Sequence, residues 1–211
     1  MDKKTENAYR VRAADFAANH EQAQVPELHA LLCRWFQPGM GILEIGGGAG
    51  RDSAFLRERG VDVWLSDGSE AMLAEAVQRH PELRRRTIHA AFPLPDDHPL
   101  LARRFDGIAA LAVLMHIPDD ELPRFAAQLP RLLRPGGLLI LSSSRNRTGL
   151  TGNRDASGRL FRERVPGAVR RVFEQSGFRL LEELETPDSR ARSITWDTLV
   201  LRLSHTDGCD G

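Results

Sequence analysis

Cysteine is nearly absent from this chain, which carries only Cys33 and Cys209 in 211 residues. Two thiols so far apart suggest neither a disulfide framework nor a metal cluster, and no metal is expected; a reducing cytoplasm suits the chain best. Net charge is absent as well, because 29 Lys and Arg balance 29 Asp and Glu. That balance argues against nucleic acid or an anionic membrane as the main partner and leaves a small molecule as the expected one. No apolar run approaches the ~18 residues of a membrane span, and the N-terminal MDKKTENAYR lacks the apolar core of a signal peptide. The length leads us to expect one domain over residues 1–211, as a monomer or homodimer, with an arm or helix over 1–24 and a frayed tail over 205–211.

Glycine supplies the strongest pattern. Ile42, Leu43, Glu44 and Ile45 read as a buried parallel strand, and Gly46, Gly47, Gly48 and Gly50 begin where it ends. Such a turn lets backbone N–H groups approach a ligand with no Cβ in the way, ahead of a helix opening near Arg51. The dinucleotide spacing G-x-G-x-x-G/A is missing, since its last position falls on Arg51 or Ser53, and a nicotinamide oxidoreductase is thereby disfavoured. What stands here is E-x-G-x-G-x-G.

That arrangement resembles motif I of the class I S-adenosylmethionine (SAM) dependent methyltransferases. The stretches VWLSDGSEAML (Val63 to Leu73), FDGIAALAVLMHIPDDEL (Phe105 to Leu122) and LLRPGGLLILSS (Leu132 to Ser143) resemble the family's next three segments in order and spacing. The resemblance covers roughly residues 40 to 143, and TPDSRARSITW (Thr186 to Trp196) is similar to a stretch in an uncharacterised bacterial subgroup. It implies an α/β, Rossmann-like fold with a seven-stranded, mostly parallel sheet, an antiparallel last strand and helices on both faces. It also implies SAM as cofactor and methyl transfer to a small-molecule acceptor, with a SAM-binding sensor or partner subunit as the alternative. The cofactor set it implies is Glu44, Gly46, Gly47, Gly48, Gly50, Asp67, Gly68, Met72, Ala91, Phe92 and Leu111.

Taken in order, residues 1–24 show a weak helical face around Tyr9, Val11 and Phe16, which reads as a surface helix or an arm that brings Tyr9 to the site. Leu28, Leu31, Leu32, Trp35 and Phe36 mark a core-facing helix opened by Pro26, with His29 and Cys33 as packing residues. Helix Arg51 to Arg59 and strand Val61 to Ser66 lead to Asp67, 17 residues beyond Gly50, where a carboxylate can accept from both ribose hydroxyls or cap the next helix beside Ser69. Gly68 and Met72 are then expected against the adenosine. The third strand, Arg86 to Ala90, ends on Ala90 where many relatives carry an adenine-binding acid, so the base is expected to rest on the backbone near Ala91 and on Phe92, which reads equally as core.

Strand four, Phe105 to Ala112, should bring Leu111 to His116 to the cleft. His116 is the catalytic candidate: a neutral imidazole there can take a proton from the acceptor or orient it, or else bond the following loop. A helix over Asp119 to Leu133, an RPGG turn and strand five over Gly137 to Ser143 come next. Ser144 to Leu160 reads as a long loop on the site side, lid or solvated surface, in which one or two of Arg145, Arg147, Arg154 and Arg159 would clamp an anionic acceptor. Helix Val165 to Ser176 and two strands that should pair antiparallel complete the chain, with Arg190, Arg192 and Trp196 as further site candidates.

Overall fold

Strands that are apolar on both faces must be covered on both, and β1 (Gly41–Ile45) sets this pattern at the centre of the sheet. Its Ile42 packs with Leu31, Leu32 and Leu56 on one side, while Leu43 and Ile45 join Phe125 and Phe173 on the other. The computed structural model, which describes residues 2–190 and 192–204, continues from β1 to β2 (Asp62–Asp67), β3 (Thr87–His89), β4 (Phe105–Ala110), β5 (Leu133–Arg145), β6 (Phe178–Pro187) and β7 (Thr195–Leu203). They form a seven-stranded sheet in the order β3-β2-β1-β4-β5-β7-β6. Strand β7 runs antiparallel to both neighbours, and the other pairings are parallel. The expected class I methyltransferase fold is thus present.

One face carries α3 (Pro26–Trp35), α4 (Arg51–Arg57) and α5 (Glu70–Arg79), and the other carries α6 (Leu122–Gln128) and α7 (Pro166–Gln175). Phe92, Phe125, Phe173 and Phe178 run edge to face through this second layer, with centroids 5.9 to 6.3 Å apart. The first helices, α1 (Lys3–Val11) and α2 (Ala13–Glu21), lie across α5 and the turn after β1. Asp2 caps α1 by accepting from Thr5 N at 3.0 Å and is held by Arg154. No helix among the described residues is long and apolar enough to cross a membrane.

Several boundaries differ from expectation for local reasons. The expected helix over Asp119 to Leu133 shortens to α6 and a 3-10 turn over Leu129–Leu132, because Pro130 has no N–H to continue the α-helical ladder. RPGG is a bulge inside β5 rather than the turn before it, since the pairing steps from Phe105–Leu133 directly to Gly107–Leu138. Strand β4 stops at Ala110, two residues before Ala112 takes a left-handed φ of 55°. The N-terminal arm is a packed helical pair, with Ala8, Ala13, Phe16 and Ala17 buried on Ala49 and Met72. Ser144 to Leu160 divides: Ser144 and Arg145 belong to β5, most of 146–153 is exposed, and the far end is docked, with Leu160 buried and its N–H donating to Thr5 Oγ1 at 2.9 Å. The tail over 205–211, with Cys209, lies outside the described residues.

The aromatic row yields a stability test. Phe125 is fully buried at its centre, so Phe125→Ala should lower the unfolding free energy by about 3–5 kcal/mol. Urea denaturation with an unchanged m-value is the check, and a loss below ~1 kcal/mol would show that the layer collapses around the gap.

Candidate functional site

A cavity of about 450 Å³ opens at the carboxyl ends of the parallel strands and is roofed by α1 and α2. Its lining runs from Ala90, Ala91 and Phe92 beyond β3 to Trp196 and Thr198 on β7, so it crosses most of the sheet. Open α/β sheets place ligands at this edge, where strand order changes direction.

The glycine turn forms the floor. A Cβ on Gly47 would lie 2.1 Å from Leu65 Cδ1 and 2.8 Å from the Glu44 carboxyl carbon, so no side chain fits there. Gly48 has a φ of +57°, which turns its N–H toward Asp67 Oδ2 at 3.0 Å. Glu44, Gly46, Gly47 and Gly48 line the cavity. Gly50 does not: it caps α4, and a Cβ there would meet Leu83 at 2.7 Å and Ala76 at 3.3 Å, so its role is to let α4 approach α5. Met72 is likewise corrected from ligand contact to core, because it is fully buried beneath Ala49 and Phe16.

Carboxylates follow the strand ends. Asp67 Oδ1 accepts from Ser69 N at 2.8 Å while Oδ2 takes Gly48 N–H, and a carboxylate has further acceptor capacity for a ligand. The capping role is shared, because Ser69 itself accepts from Met72 N. Burial raises the pKa of Asp67 against the pull of these N–H groups. Glu44 is more extreme: burial, helped by the charge of Asp52, pushes its carboxyl up to about 8, with the Ser53 hydroxyl donating to it. For Asp52, burial is outweighed by His29 at 2.8 Å and by Arg51, so it stays ionised.

His116 closes the other side. Its Nδ1 lies 2.6 Å from Leu160 O, and a carbonyl only accepts, so Nδ1 carries the proton. Nε2 is then an acceptor and takes the Tyr9 hydroxyl at 3.1 Å. Burial holds the His116 pKa down at about 4, with Leu160 O opposing and Arg159 and Arg147 adding to the fall. The two sequence readings of this residue therefore merge: it bonds the following segment through Nδ1 and faces the cavity through Nε2. Tyr9 also lines the cavity, its ring tilted by 58° against Phe16 with centroids 5.0 Å apart.

The remaining candidates separate by partner. Gly68, Ala91, Phe92, Leu111, Arg147, Arg159, Arg190, Arg192 and Trp196 line the cavity. Arg145 does not, being tied to Asp197 and Glu185 along the sheet, and Arg154 is spent on Asp2 and Gly158 O. Among the lining residues that the sequence did not mark, two stand beside the glycine turn. His20 on α2 comes 3.2 Å from where a Gly48 Cβ would stand, and burial lowers its pKa to about 4. Arg51 donates to His20 O and Ala23 O and so fastens α2 to the glycine turn. No local pattern marks either of them.

This fold and edge-of-sheet cavity define a class I methyltransferase architecture. Residues 17–183 match the profile of the methyltransferase domain family, and the chain belongs to that family. It is similar to magnesium-protoporphyrin O-methyltransferase of Synechocystis sp., 30% identical over 137 residues that make up 65% of this chain and 58% of the relative. The match thus spans little more than half of that curated relative's length. The structure of magnesium protoporphyrin IX methyltransferase from Synechocystis PCC 6803 with bound SAM superposes with TM-score 0.71 at 21% identity, covering 97% of this chain and 98% of that one. The Burkholderia thailandensis 1,6-didemethyltoxoflavin-N1-methyltransferase, solved with bound 1,6-didemethyltoxoflavin and S-adenosylhomocysteine, gives TM-score 0.70 at 23% identity, covering 97% of this chain and 92% of that one. The cyclase SpnF shares the fold with TM-score 0.70 at 14% identity over 95% of each chain.

Glu44 gives the site a pH signature. Folded Glu44 keeps its proton to about 8 whereas the unfolded chain releases it near 4.5, so unfolding sheds a proton and stability falls as pH rises. Folded His20 and His116 are already neutral at pH 6.5, and as their unfolded forms lose their protons above that pH they offset progressively less of this loss. The melting temperature should therefore decline from pH 6.5 to 8, and Glu44→Gln should flatten that decline; a parallel decline in the variant would place the carboxylate charge elsewhere.

Proposed function

We propose that this protein binds SAM on the glycine turn and transfers its methyl group to a small-molecule acceptor beside Tyr9 and His116. The observation that carries the reading is the meeting of Gly48 N–H and Asp67 at the carboxyl edge of the sheet, in a chain of the methyltransferase family. The floor fits such a group because Gly46, Gly47 and Gly48 leave backbone where side chains would stand. Asp67 would accept from the ribose hydroxyls, Ala91 and Phe92 would flank the base, and Leu111 and Glu44 would line the methionine side. Bound there, SAM supplies a methyl group on a sulfonium that needs no metal to activate it.

The chain's own task is to hold the acceptor, exclude water and take its proton. The Tyr9 oxygen can accept that proton while its own hydroxyl proton passes to His116 Nε2, and Leu160 O steadies the imidazole from behind. A methyl-transferring, cytoplasmic bacterial enzyme acting on a small molecule, as monomer or homodimer, fits the neutral charge and the scarcity of thiols. SpnF favours keeping a second reading, since its name is that of a cyclase and the fold alone does not assign transfer. Turnover of labelled SAM in cell extract separates the two, because a binder without transfer would leave the label on SAM.

Two substitutions probe the two halves. Asp67→Ala removes charge-assisted hydrogen bonds worth ~1.5–3 kcal/mol and should weaken S-adenosylhomocysteine binding about ten- to a hundredfold by calorimetry; unchanged affinity would remove the ribose assignment. Once an acceptor is in hand, Tyr9→Phe and His116→Ala should each lower kcat about 10²-fold without weakening cofactor binding. The double variant should be little worse than either single one, whereas fully additive losses would break the relay into separate roles.

A further inference from the structure

The two ends of the cavity differ in charge. The end under β1 and β2 carries Asp67, Asp52 paired with Arg51, and Glu44 in its neutral form, whereas Arg147, Arg159, Arg190 and Arg192, with Asp188, line the end beside β5 and β7. Most of these guanidiniums are already matched. Arg159 holds Asp155 through bonds of 2.9 and 2.7 Å, Arg192 holds Asp188 through bonds of 2.8 and 2.7 Å, and Arg190 donates to the Asn19 carbonyl. Arg147 is different. Its guanidinium has no hydrogen-bond or ion-pair partner among the described residues, and its Nε is buried without an acceptor. It lies 4.1 Å over the ring of Phe161, and that ring in turn meets His116 at 4.9 Å. Burial, with Arg192 and Arg159 close by, works against its charge, so this end of the cavity holds an uncompensated positive excess.

We propose that Arg147 is the seat of an anion subsite, and that the methyl acceptor is a small carboxylic acid held there by its carboxylate. A planar guanidinium with free N–H groups matches a carboxylate with two parallel bonds, and the pair gains most where water is scarce. The body of the acid would lie against Trp196, Phe161 and Met115, which line the same end. Its nucleophile must be a second group, at Tyr9 and His116, because carboxylate lone pairs engaged by Arg147 are not free to attack. An anion on Arg147 would also offset one of the charges that depress His116, making the imidazole a better proton acceptor only when the acceptor is in place. This inference rests on the methyltransferase reading of the same cavity.

Calorimetric titration of the full chain saturated with S-adenosylhomocysteine, using benzoate and its neutral isostere benzamide as probes, tests the subsite. Benzoate should bind about tenfold or more tightly than benzamide, and Arg147→Gln should bring benzoate down to the level of benzamide while S-adenosylhomocysteine affinity stays unchanged. Arg147→Lys should restore part of the preference, as a point charge without the fork. Equal binding of the two probes, failure of benzoate to bind, or a benzoate affinity untouched by Arg147→Gln would overturn the subsite. If S-adenosylhomocysteine itself does not bind, the methyltransferase reading fails and this inference with it; if it binds and the anion preference is missing, the subsite alone fails.

Discussion

The space that a Cβ would need at Gly47 is already taken by Leu65 and by the Glu44 carboxyl, and the layout of the cavity depends on that crowding. Because backbone alone fits, the turn after β1 lies flat on the end of β2, with Gly47 N donating to Ser66 O at 3.1 Å. That contact brings Gly48 N–H to Asp67, and Gly50 then starts α4 close against α5. A single buried acid, kept neutral by its surroundings, is the cost of the arrangement.

His116 does for the opposite wall what Gly47 does for the floor. It ties the end of β4 to Leu160, 44 residues later, and to Tyr9, 107 residues earlier. The carbonyl fixes the proton on Nδ1, and the phenol then donates to the bare Nε2. The left-handed Ala112, bonded through its N–H to Ser142 O and Oγ, sets the direction in which this stretch leaves the sheet.

Much of this was legible in the residues, and the part that was not has physical causes. Strands β1, β2 and β4 announce themselves because both faces are apolar, and the glycines and Asp67 stand at strand ends, where short-range pattern and ligand geometry coincide. Gly50 and Met72 obey the same short-range pattern, yet their surroundings are supplied by α5 and α2, which only the folded chain brings together. Arg145, Arg147 and Arg154 are one residue type in one segment; what separates them is that Asp197 faces the first and Asp2 the last, while the guanidinium between them has no partner among the described residues. The N-terminal helices were faint because alanines make their buried stripe, and alanine contributes little to any hydropathy contrast.

That same alanine stripe shapes how the roof is held. The roof formed by α1 and α2 packs on Ala49 and Met72 through small side chains and Phe16 and is pinned at its margins: Asp2 to Arg154, Tyr9 to His116, Arg51 to the end of α2, and Arg190 to Asn19. Of these pins only Asp2 to Arg154 joins two charges, so salt weakens that corner of the roof while the bonds to neutral partners and the apolar packing on Ala49 and Met72 keep their strength.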